Sequence, residues 1–455
     1  MDIRELRESV DVQEAGREMY ELIRTLYPVC RSITGDGFRQ TLRTVQRHIP
    51  LQLCEVPSGS RAFDWTVPKE WNIRDAYIKD PQGRKVVDFT QSNLHVMSYS
   101  TPIHATMPLA TLRDHLFSIP EKPKLIPYRT SYYNENWGFC LPHELLMSLP
   151  EGEYEVCIDS TLADGSLTYG EYVLGGSSSE EILVSCHCCH PSLCNDNLSG
   201  IALSTALAKL LTPLTRRYSY RFLFIPGAIG SITWLSRNEE KAAAVRHGLV
   251  VACVGDGGHL TYKKSRRGDA EIDRAAIHVL KHRGGPHEVR EFSPYGYDER
   301  QYCSPGFNLA VGSLTRTPHG AFPQYHTSAD NLDFVQGSFL ADSLSAYLDV
   351  LHVLEENRTY RSLNAKCEPQ LGRRGLYSAI GGRTDSPARE MALLWVLNQA
   401  DGEHSLLDTA EKAGLPFDAV DRAARLLHGH RLLEECTADA PSAAVPGEIE
   451  NAGRS

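Results

Sequence analysis

The chain has 455 residues and a net charge of −10 at pH 7, and 42% of its residues are hydrophobic and 23% are charged. This length exceeds what one hydrophobic core organises, so we expect a globular protein of two or three domains. The negative charge argues against nucleic acid or an anionic membrane as a partner of the whole molecule.

The first residues and the cysteine content indicate a compartment. The N-terminal sequence MDIRELRESV is charged from its start, and the sequence contains no run of 18 apolar residues. We therefore expect neither a signal peptide nor a membrane-spanning helix. Twelve cysteines without a signal peptide are typical of free thiols or metal ligands in a reducing environment. These features predict a cytoplasmic protein.

The hydrophobic periodicity divides most of the chain into a core domain and an insertion. Apolar residues at helical spacing predict helices over residues 13–28 and 38–48. Over residues 70–175 the apolar period becomes two, which predicts a mainly β insertion whose aromatic stretch YRTSYYNENWGF is structural or lines a substrate cleft. Residues 176–360 alternate strand-like and helix-like segments, which predicts a doubly wound, mostly parallel α/β sheet. With residues 1–69 they form the predicted α/β domain.

The C-terminal segment differs in character from the rest of the chain. Residues 366–436 carry three helical patterns around an AEKAGLP turn, the outline of a helix-turn-helix. The candidate recognition helix, PFDAVDRAARLLHGH, mixes acidic and basic residues, whereas DNA contact requires a positive face. We therefore do not expect nucleic acid as a partner, and this segment instead packs on the rest of the chain or mediates homo-oligomer formation. The polar tail, residues 437–455, is predicted to be disordered.

Residues 181–204, EILVSCHCCHPSLCNDNLSGIALS, combine a strand, ligand-type side chains and the start of a helix. The apolar run at the beginning predicts a strand covered on both faces. His187 and His190 follow this strand, and Asp196 precedes the helix. Ligands bind beyond the carboxyl ends of strands in open α/β sheets. Singly, such residues are solvated histidines or a helix-capping aspartate, but their density here favours a metal site.

Two further ligand-type residues follow later strands. Asp256 ends the strand-like segment HGLVVACVGD, and His326 lies in PQYHTSADN. Histidine and carboxylate ligands together favour zinc or a similar divalent ion. Such an ion lowers the pKa of bound water to about 7 and polarises a carbonyl group, which suits amide hydrolysis. The sequence has neither a G-x-S-x-G elbow at a strand-to-helix turn nor a zinc-binding H-E-x-x-H helix.

With these motifs the sequence resembles the zinc-dependent aminopeptidases of the co-catalytic di-zinc type. His187, Asp196 in DNLSG, Asp256 in VGDGG and His326 in YHTS follow the order of that family's metal ligands. The stretches EWNIRDAYI, TSYYNENWGFC, CHPSLCNDNLSG, PYGYDERQYCSPGFNL and YHTSADN are similar to a bacterial aminopeptidase-like group. The resemblance covers nearly the whole chain. It implies a zinc exopeptidase fold with an inserted β domain and a C-terminal winged helix, and it implies that these four residues bind zinc.

Two positions depart from the pattern of that family. The resemblance leads us to expect a glutamate, as metal ligand and general base, where the chain has Gly227, and a second glutamate where it has Gln324. The loss of a ligand predicts one zinc ion rather than two. The thiols of Cys189 and Cys194 are candidate replacement ligands, unless they are small buried hydrophobic groups.

Because the glutamate expected as general base is missing, another residue must accept the proton. Asp298 and Glu299, in the loop YGYDERQ, are the candidates for this role or for binding the free amino group of a substrate. Alternatively, they form a solvated charged turn or an ion pair with Arg300.

Three functions are compatible with these features. The first is a metal-dependent hydrolase that releases an N-terminal aminoacyl group from a peptide or a small amide. The second is a related enzyme that trims or transfers an aminoacyl group in a biosynthetic pathway. The third is a catalytically silent binding or regulatory protein on an aminopeptidase frame. Bound metal and turnover of aminoacyl amides separate the first two from the third.

Overall fold

The computed structural model describes residues 1–376 and 386–436. The tail that the sequence predicts to be disordered, residues 437–455, lies outside the described residues. The chain separates into two compact units, of which the first is Met1–Glu355 and the second begins at Glu356.

The helices and strands of the described residues are as follows. The helices are α1 (Ile3–Ser9), α2 (Val12–Leu26), α3 (Asp36–Val45), α4 (Leu109–Leu112), α5 (His143–Ser148), α6 (Ser199–Leu211), α7 (Ile229–Arg237), α8 (Glu239–Ala242), α9 (Glu271–Arg283), α10 (Glu299–Tyr302), α11 (Gly337–Glu356), α12 (Ser386–Gln399), α13 (Leu406–Ala413) and α14 (Phe417–Gly429). The strands are β1 (Gln52–Pro57), β2 (Arg61–Ala62), β3 (Trp65–Thr66), β4 (Glu70–Lys79), β5 (Lys85–Asp88), β6 (Ile103–Pro108), β7 (Leu116–Phe117), β8 (Phe139–Cys140), β9 (Glu153–Ala163), β10 (Ser166–Leu174), β11 (Glu181–His187), β12 (Ser219–Ile225), β13 (Val245–Val251), β14 (Leu260–Lys263), β15 (His287–Arg290), β16 (Val311–Thr315), β17 (Thr359–Ser362), β18 (Asp401–Ser405) and β19 (Leu433–Glu435).

An eight-stranded sheet forms the centre of the first unit, in the order β1-β10-β12-β11-β13-β16-β14-β15. Its middle strands β12, β11, β13 and β16 are parallel, whereas β10 pairs antiparallel with β1 and β12, and β14 pairs antiparallel with β16. Helix α6 packs on β11 and β13, and α9 packs on β13, β14 and β16. The predicted α/β fold is confirmed, and its parallel strands are the ones that lead to the ligand-type residues.

The central strand β11 shows why this part of the chain is a sheet interior. All seven of its residues are buried, including the apolar run Ile182–Val184. A strand with neighbours on both edges and packed layers on both faces needs apolar side chains in both directions. The continuous apolar run is the sequence signal of that position.

A second, four-stranded sheet in the first unit has the order β5-β4-β9-β6. Its strands are antiparallel and lie within residues 70–163. Strand β10 follows directly, but it pairs with β1 and β12 in the large sheet. The alternating stretch that predicts an insertion over residues 70–175 therefore supplies strands to both sheets.

The second unit contains the three-stranded sheet β18-β17-β19 and helices α12, α13 and α14. Ser405 caps α13 by accepting a hydrogen bond from the backbone N–H of Asp408, and the Asp408 side chain accepts from the Ser405 backbone in return. Gly414, at φ +66°, ends α13 in the left-handed conformation that glycine adopts without strain. This turn within AEKAGLP joins α13 to α14, as the helix-turn-helix pattern predicts.

In the part of the chain that the structure describes, no helix has both the length and the apolar content to cross a membrane.

Candidate functional site

The candidate site lies beyond the carboxyl ends of the parallel strands. His187 is the last residue of β11, Gly227 follows β12 by two residues, and Cys253 follows β13 by two residues. The loop from Cys188 to Leu198 then crosses this edge of the sheet before α6 begins. This is the position at which an open α/β sheet binds ligands.

Asp196 is the centre of a histidine cluster. Nε2 of His187 lies 2.8 Å from Oδ1 of Asp196, and Nε2 of His326 lies 2.9 Å from Oδ2. Nε2 of His190 lies 3.9 Å from the same Oδ2. The Asp196 side chain is 1% exposed, whereas that of His326 is 34% exposed. The cluster is therefore buried around the carboxylate and open on the side of His326.

The electrostatics of the cluster follow from this geometry. Burial by itself would raise the pKa of Asp196, but the surrounding histidines, His190 first, hold that pKa well below its usual value. Burial lowers the pKa of His190 to about 3, so its imidazole is neutral at pH 7. Burial also opposes protonation of His187, but the hydrogen bond to Asp196 raises its pKa overall. A carboxylate and neutral imidazole nitrogens are the protonation states that bind a metal ion.

Asp330 holds the backbone of the loop that carries Asp196. Its Oδ1 accepts a hydrogen bond from the N–H of Asn195 at 2.6 Å, and its Oδ2 accepts from the N–H of Asp196 at 3.0 Å. Burial raises the pKa of Asp330 to about 7, although these two N–H groups oppose that shift. The side chain of Asn197 adds donated hydrogen bonds to the backbone oxygens of His187 and Val251. The loop is thus tied to both neighbouring strands.

Asp256 does not join the cluster, although the resemblance implies that it is a zinc ligand. Its Oδ2 accepts a hydrogen bond from Nδ2 of Asn195 at 2.7 Å, and its Oδ1 accepts from the Thr317 hydroxyl and the Gly258 N–H, both at 2.6 Å. Both carboxylate oxygens therefore have donor partners. In this arrangement Asp256 is bonded to the Asn195 side chain, and its role as a zinc ligand stays a prediction.

Asp298 lies beside His187 and the gap at Gly227. Its Oδ1 accepts a hydrogen bond from the Ser231 hydroxyl at 2.7 Å, and the side chain is 1% exposed. A Cβ atom placed on Gly227 would lie 3.2 Å from Oδ2 of Asp298 and 3.1 Å from Cβ of His187. Burial raises the pKa of Asp298 to about 6. A proton-accepting oxygen thus borders the space where the resemblance places the missing glutamate.

Glu299, the other candidate base, faces a different group. Its Oε1 accepts a hydrogen bond from Nζ of Lys263 at 2.8 Å and lies 3.3 Å from the Tyr297 N–H. The structure therefore separates the two acidic residues of the YGYDERQ loop, with Asp298 towards His187 and Glu299 towards Lys263. The sequence also allowed an ion pair with Arg300. In the structure, Glu299 forms its ion pair with Lys263 instead.

Aromatic rings form the walls of the cluster. Tyr128, from the aromatic stretch of the β insertion, lies with its ring 5.0 Å from that of His190 and 5.1 Å from that of His326. The ring of Tyr325 stacks on His326 at 3.9 Å, and the ring of Tyr297 stacks on His187 at 5.4 Å. Tyr128 is thus the residue by which the YRTSYYNENWGF stretch contacts the histidine cluster, and the lining of a substrate cleft by this stretch stays a prediction.

The two cysteines considered as replacement ligands are buried thiols. Burial raises the pKa of Cys189 to about 12, and it also raises the pKa of Cys194. A thiol must lose its proton to bind a metal. Cys189 instead lies with Sγ 3.5 Å from Nδ1 of His190 and 3.9 Å from the Gly227 oxygen. These surroundings suit the small hydrophobic role.

The donors that converge on Asp196 fit a zinc ion. Imidazole nitrogen and carboxylate oxygen are its usual ligands besides thiolate. One donor atom each from His187, His190 and Asp196 lies within 4.8 Å of the other two, and His326 reaches the same carboxylate. The described residues thus offer up to four donors around one place.

The sequence analysis did not assign Asp330 or Tyr297 to the candidate site. It noted His190 as a ligand-type residue but did not include it among the predicted zinc ligands. Asp330 lies four residues after His326 in YHTSADN, and Tyr297 directly precedes Asp298. Aspartate and tyrosine are ordinary residues of an exposed turn. The only sequence signal that could have identified these two is that each lies close, along the chain, to a residue already assigned to the site. Their contacts with Asp196 and His187 depend on chain segments that meet only in the folded protein.

Comparison with known proteins places the chain in a family. A family model described as "Domain of unknown function (DUF4910)" matches residues 20–357. The chain belongs to this family. A second model, described as a winged helix-turn-helix, matches residues 358–435 of this DUF4910 chain. The winged-helix character of the C-terminal segment is thereby confirmed.

Two proteins from Clostridium acetobutylicum are similar to this DUF4910 chain over nearly its whole length. A Clostridium acetobutylicum protein, named for polysaccharide biosynthesis and an aminopeptidase-like domain, is 55% identical over 421 residues, which are 92% of this chain and 97% of that protein. A crystal structure of a protein from the same species, provisionally named a peptidase, matches with 52% identity and a TM-score of 0.91, covering 95% of this chain and 100% of that one.

A zinc aminopeptidase from Bacillus subtilis shares the fold at 12% identity. Its TM-score is 0.54, and the match covers 74% of this chain and 95% of that one. The aminopeptidase-type fold implied by the sequence resemblance is therefore confirmed.

Proposed function

We propose that this protein is a metal-dependent hydrolase that releases an N-terminal aminoacyl group from a peptide or a small amide. The observation that carries the proposal is the convergence of three histidines on the buried carboxylate of Asp196. This cluster lies at the ligand-binding edge of an aminopeptidase-type sheet. The metal-type cluster together with its position at this edge supports hydrolysis of an amide more directly than the cluster or the fold alone.

His187, Asp196 and His326 would hold one zinc ion, with His190 as a further donor. The ion would supply a polarised carbonyl and an acidified water molecule. His326 is the most exposed member of the cluster, so we place the entry for substrate on its side. Asp330 keeps the Asp196 backbone in place, and the ring of Tyr128 packs against those of His190 and His326.

Asp298 is the residue that would accept a proton. The Ser231 hydroxyl fixes one of its oxygens, which leaves the other beside the gap at Gly227. General base catalysis needs an acceptor with a pKa near the working pH. Burial brings Asp298 closer to that range than an exposed aspartate would be. Asp298 would thus take over the task of the glutamate that this chain lacks.

We further propose that the substrate is an intermediate of a biosynthetic pathway. The support is the name of the 55% identical Clostridium acetobutylicum relative, which refers to polysaccharide biosynthesis. We extend that setting to this chain as part of the proposal. An aminoacyl group on a small metabolite is then as suitable a substrate as a peptide.

The alternative is a silent binding or regulatory protein on the same frame. Gly227 favours it, because a glycine cannot supply the base or the ligand that the family pattern places there. The second unit, with its winged-helix fold, would then transmit binding of an amine ligand.

Hydrolysis of aminoacyl 4-nitroanilides by the zinc-loaded full chain separates the two readings. We expect turnover that disappears in His187→Ala and falls in Asp298→Asn, while Asp333→Asn, at an exposed position, keeps the normal rate. Zinc binding without turnover of any amide would support the silent protein instead.

A further inference from the structure

Arg31 is a buried cation that contacts the loop of the histidine cluster. It is 0% exposed and lies between helices α2 and α3. Its Nε donates a hydrogen bond to the backbone oxygen of His190 at 3.0 Å, and its Nη1 donates to the backbone oxygen of Leu26 at 2.6 Å. The guanidinium therefore joins the carboxyl end of α2 to the backbone of a candidate metal ligand.

The charge of Arg31 has no carboxylate within ion-pair distance in the described part of the chain. Burial lowers the pKa of Arg31 to about 10, so the guanidinium is still charged at pH 7. Burying a charge costs free energy of folding unless the charge is paired and hydrogen-bonded. An ion pair therefore does not explain a cation at this position, whereas its two carbonyl contacts do. The titratable groups beside it are thiols, and burial raises the pKa of each: Cys30, Cys188, Cys189 and Cys194.

The imidazole of His190 is held less firmly than the other rings of the cluster. Its Nε2 lies 3.9 Å from Oδ2 of Asp196, whereas Nε2 of His187 and of His326 lie within 2.9 Å of that carboxylate. Its Nδ1 faces Sγ of Cys189 at 3.5 Å. Sulfur is a weak hydrogen-bond partner, and metal-binding histidines usually hold their second nitrogen against oxygen. The position of this imidazole therefore depends chiefly on the backbone from which it projects.

A second contact ties the same loop to the end of α2. The Ser192 hydroxyl donates a hydrogen bond to the backbone oxygen of Tyr27 at 2.9 Å, and Tyr27 directly follows α2. Between the two tied residues, Pro191 disfavours the helical conformation at His190. The end of α2 thus holds the loop on both sides of this proline.

We propose that Arg31 is a positioning residue that holds His190 in place as a ligand of the zinc ion. The inference rests on the proposed metal-dependent hydrolase, in which His190 is a further donor. Arg31 touches neither the ion nor the substrate, and it acts through the backbone of His190. The end of α2 thereby completes the metal site.

A double-mutant cycle in the full chain tests this coupling, with zinc affinity measured by competition with a chelator. Loss of a group that orients a metal ligand costs about 10–100-fold in affinity, which is the effect expected for Arg31→Met. In a His190→Ala background, Arg31→Met should change the affinity by no more than about twofold, because its target is already absent. An equal loss in both backgrounds would overturn the proposal.

Arg216→Met is the matched control for the loss of an arginine that binds carbonyl oxygens. Arg216 donates to the backbone oxygens of Leu211 and Leu214, at the opposite end of α6 from the cluster. It should leave the zinc affinity unchanged. Ser192→Ala removes only a hydroxyl and keeps the test valid if Arg31→Met does not fold. It should lower the affinity about threefold, as the loss of one hydrogen bond does, and an unchanged affinity in Ser192→Ala would then overturn the proposal.

Cobalt(II) in place of zinc gives a readout that a general loss of stability does not produce. The visible absorption spectrum of bound cobalt depends on the ligands of the ion. At saturating cobalt, Arg31→Met should show the spectrum of His190→Ala, and Arg216→Met should show that of wild type. A wild-type spectrum in Arg31→Met would contradict the positioning role.

The positioning role and the hydrolase can fail separately. Zinc-dependent turnover of aminoacyl amides, with a normal zinc affinity in Arg31→Met, would leave the hydrolase and overturn the positioning role. Zinc affinity that depends on Arg31 through His190, without turnover of any amide, would support the positioning role and overturn the hydrolase. Absence of zinc binding in the wild-type protein would overturn both.

Discussion

Asp196 organises the candidate site because its two oxygens meet different histidines. Oδ1 faces His187, and Oδ2 faces His326 and His190. Its backbone N–H is bound by Asp330, which holds the main chain from which the carboxylate projects. The position of one side chain therefore depends on residues from three separate segments of the chain.

Asp330→Asn is expected to weaken zinc binding without unfolding the protein. An asparagine keeps the size of the side chain, but its amide nitrogen cannot accept one of the two N–H groups that Asp330 binds. Loss of a group that orients a metal ligand costs about 10–100-fold in metal affinity. Competitive titration with a zinc chelator measures this effect. Asp333→Asn is the control, and an unchanged affinity in Asp330→Asn would contradict the assigned support.

Asp298→Asn is expected to separate proton transfer from metal binding. The variant keeps the hydrogen bond with Ser231 but removes the acceptor charge. We expect kcat to fall by about 10²–10⁴-fold, the usual contribution of a general base, while the zinc content stays the same. Steady-state kinetics and elemental analysis of the same preparation provide both values. A normal kcat would remove Asp298 from the mechanism.

Individual residues also show how much of the candidate site could be predicted from the sequence. His187 and Asp196 could be assigned as candidates because His187 ends a strand and Asp196 shortly precedes a helix, whereas His326, in the loop between β16 and α11, was assigned from its motif YHTS. Asp256 has the same local signal, yet its carboxylate turns to Asn195 and Thr317. The order of residues fixes which segments reach the sheet edge, whereas the direction of a side chain depends on donors from other segments. Sequence patterns do not contain those donors.

Strand β12 carries a buried ion cluster that joins it to its neighbours. Arg221 is paired with Glu181 of β11 at 2.6 Å and with Glu171 of β10 at 2.5 Å, and Glu171 also accepts from the Trp234 indole. These charged side chains are at most 10% exposed. Each carboxylate therefore has a donor partner inside the sheet rather than water.

Arg221→Met is expected to destabilise the first unit strongly. Removing one partner of a buried ion pair leaves an unpaired buried charge and costs about 3–5 kcal/mol. Urea unfolding monitored by circular dichroism measures the loss. Arg74→Met is the matched control, because Arg74 pairs with Asp159 on an exposed surface, where ion pairs contribute little. Equal unfolding midpoints for the two variants would contradict the role of the buried cluster.

His247 of β13 is expected to make stability depend on pH. Burial, followed by the nearby arginines, lowers the pKa of His247 to about 3, although Glu271 lies 3.8 Å from its Nε2. Between pH 6.5, the ordinary value for histidine, and pH 3, the unfolded chain binds a proton that the folded chain does not bind. The contribution of His247 to stability is therefore present above pH 6.5 and is lost as the pH falls.

The unfolding free energy of wild type should fall by up to about 1.4 kcal/mol per pH unit more steeply than that of His247→Gln over this range. Urea denaturation at pH 7.0, 6.0 and 5.0 measures both slopes. Parallel slopes would contradict a neutral buried His247.

Among the elements, strongly periodic segments were predictable and strand partners were not. The predicted helices at 13–28 and 38–48 correspond to α2 (Val12–Leu26) and α3 (Asp36–Val45). The period-two stretch up to residue 175 contains β10, which joins the large sheet instead of the small one. Alternation reports that a strand has one buried face, and it does not report which sheet supplies the partner. Pairing is decided by residues far away in the chain.

The whole chain combines an aminopeptidase-type unit with a winged-helix unit of mixed charge. In α14, Asp418 and Asp421 accompany Arg422 and Arg425, and Asp421 lies 3.2 Å from Arg425. A DNA-binding helix instead presents uncompensated positive charge to the phosphates. We therefore propose that this unit serves self-association or packing rather than DNA recognition.

Fluorescence anisotropy with labelled duplex DNA at physiological salt tests this assignment. We expect no saturable binding up to about 10 μM protein, a concentration at which many DNA-binding proteins already bind non-specifically. Salt-dependent binding below this concentration would contradict the assignment and would favour the regulatory alternative. Sedimentation of the same protein at several concentrations determines whether it forms a homo-oligomer.

The zinc content of the purified full chain tests the central claim most directly. We predict about one zinc ion per chain by elemental analysis, because the donors of the described residues converge on one carboxylate, and we predict that His187→Ala and Asp196→Ala lose it. Folding of both variants is checked by circular dichroism. No bound metal in the wild-type protein, even after incubation with zinc, would contradict the hydrolase and leave a binding or regulatory protein on an aminopeptidase frame.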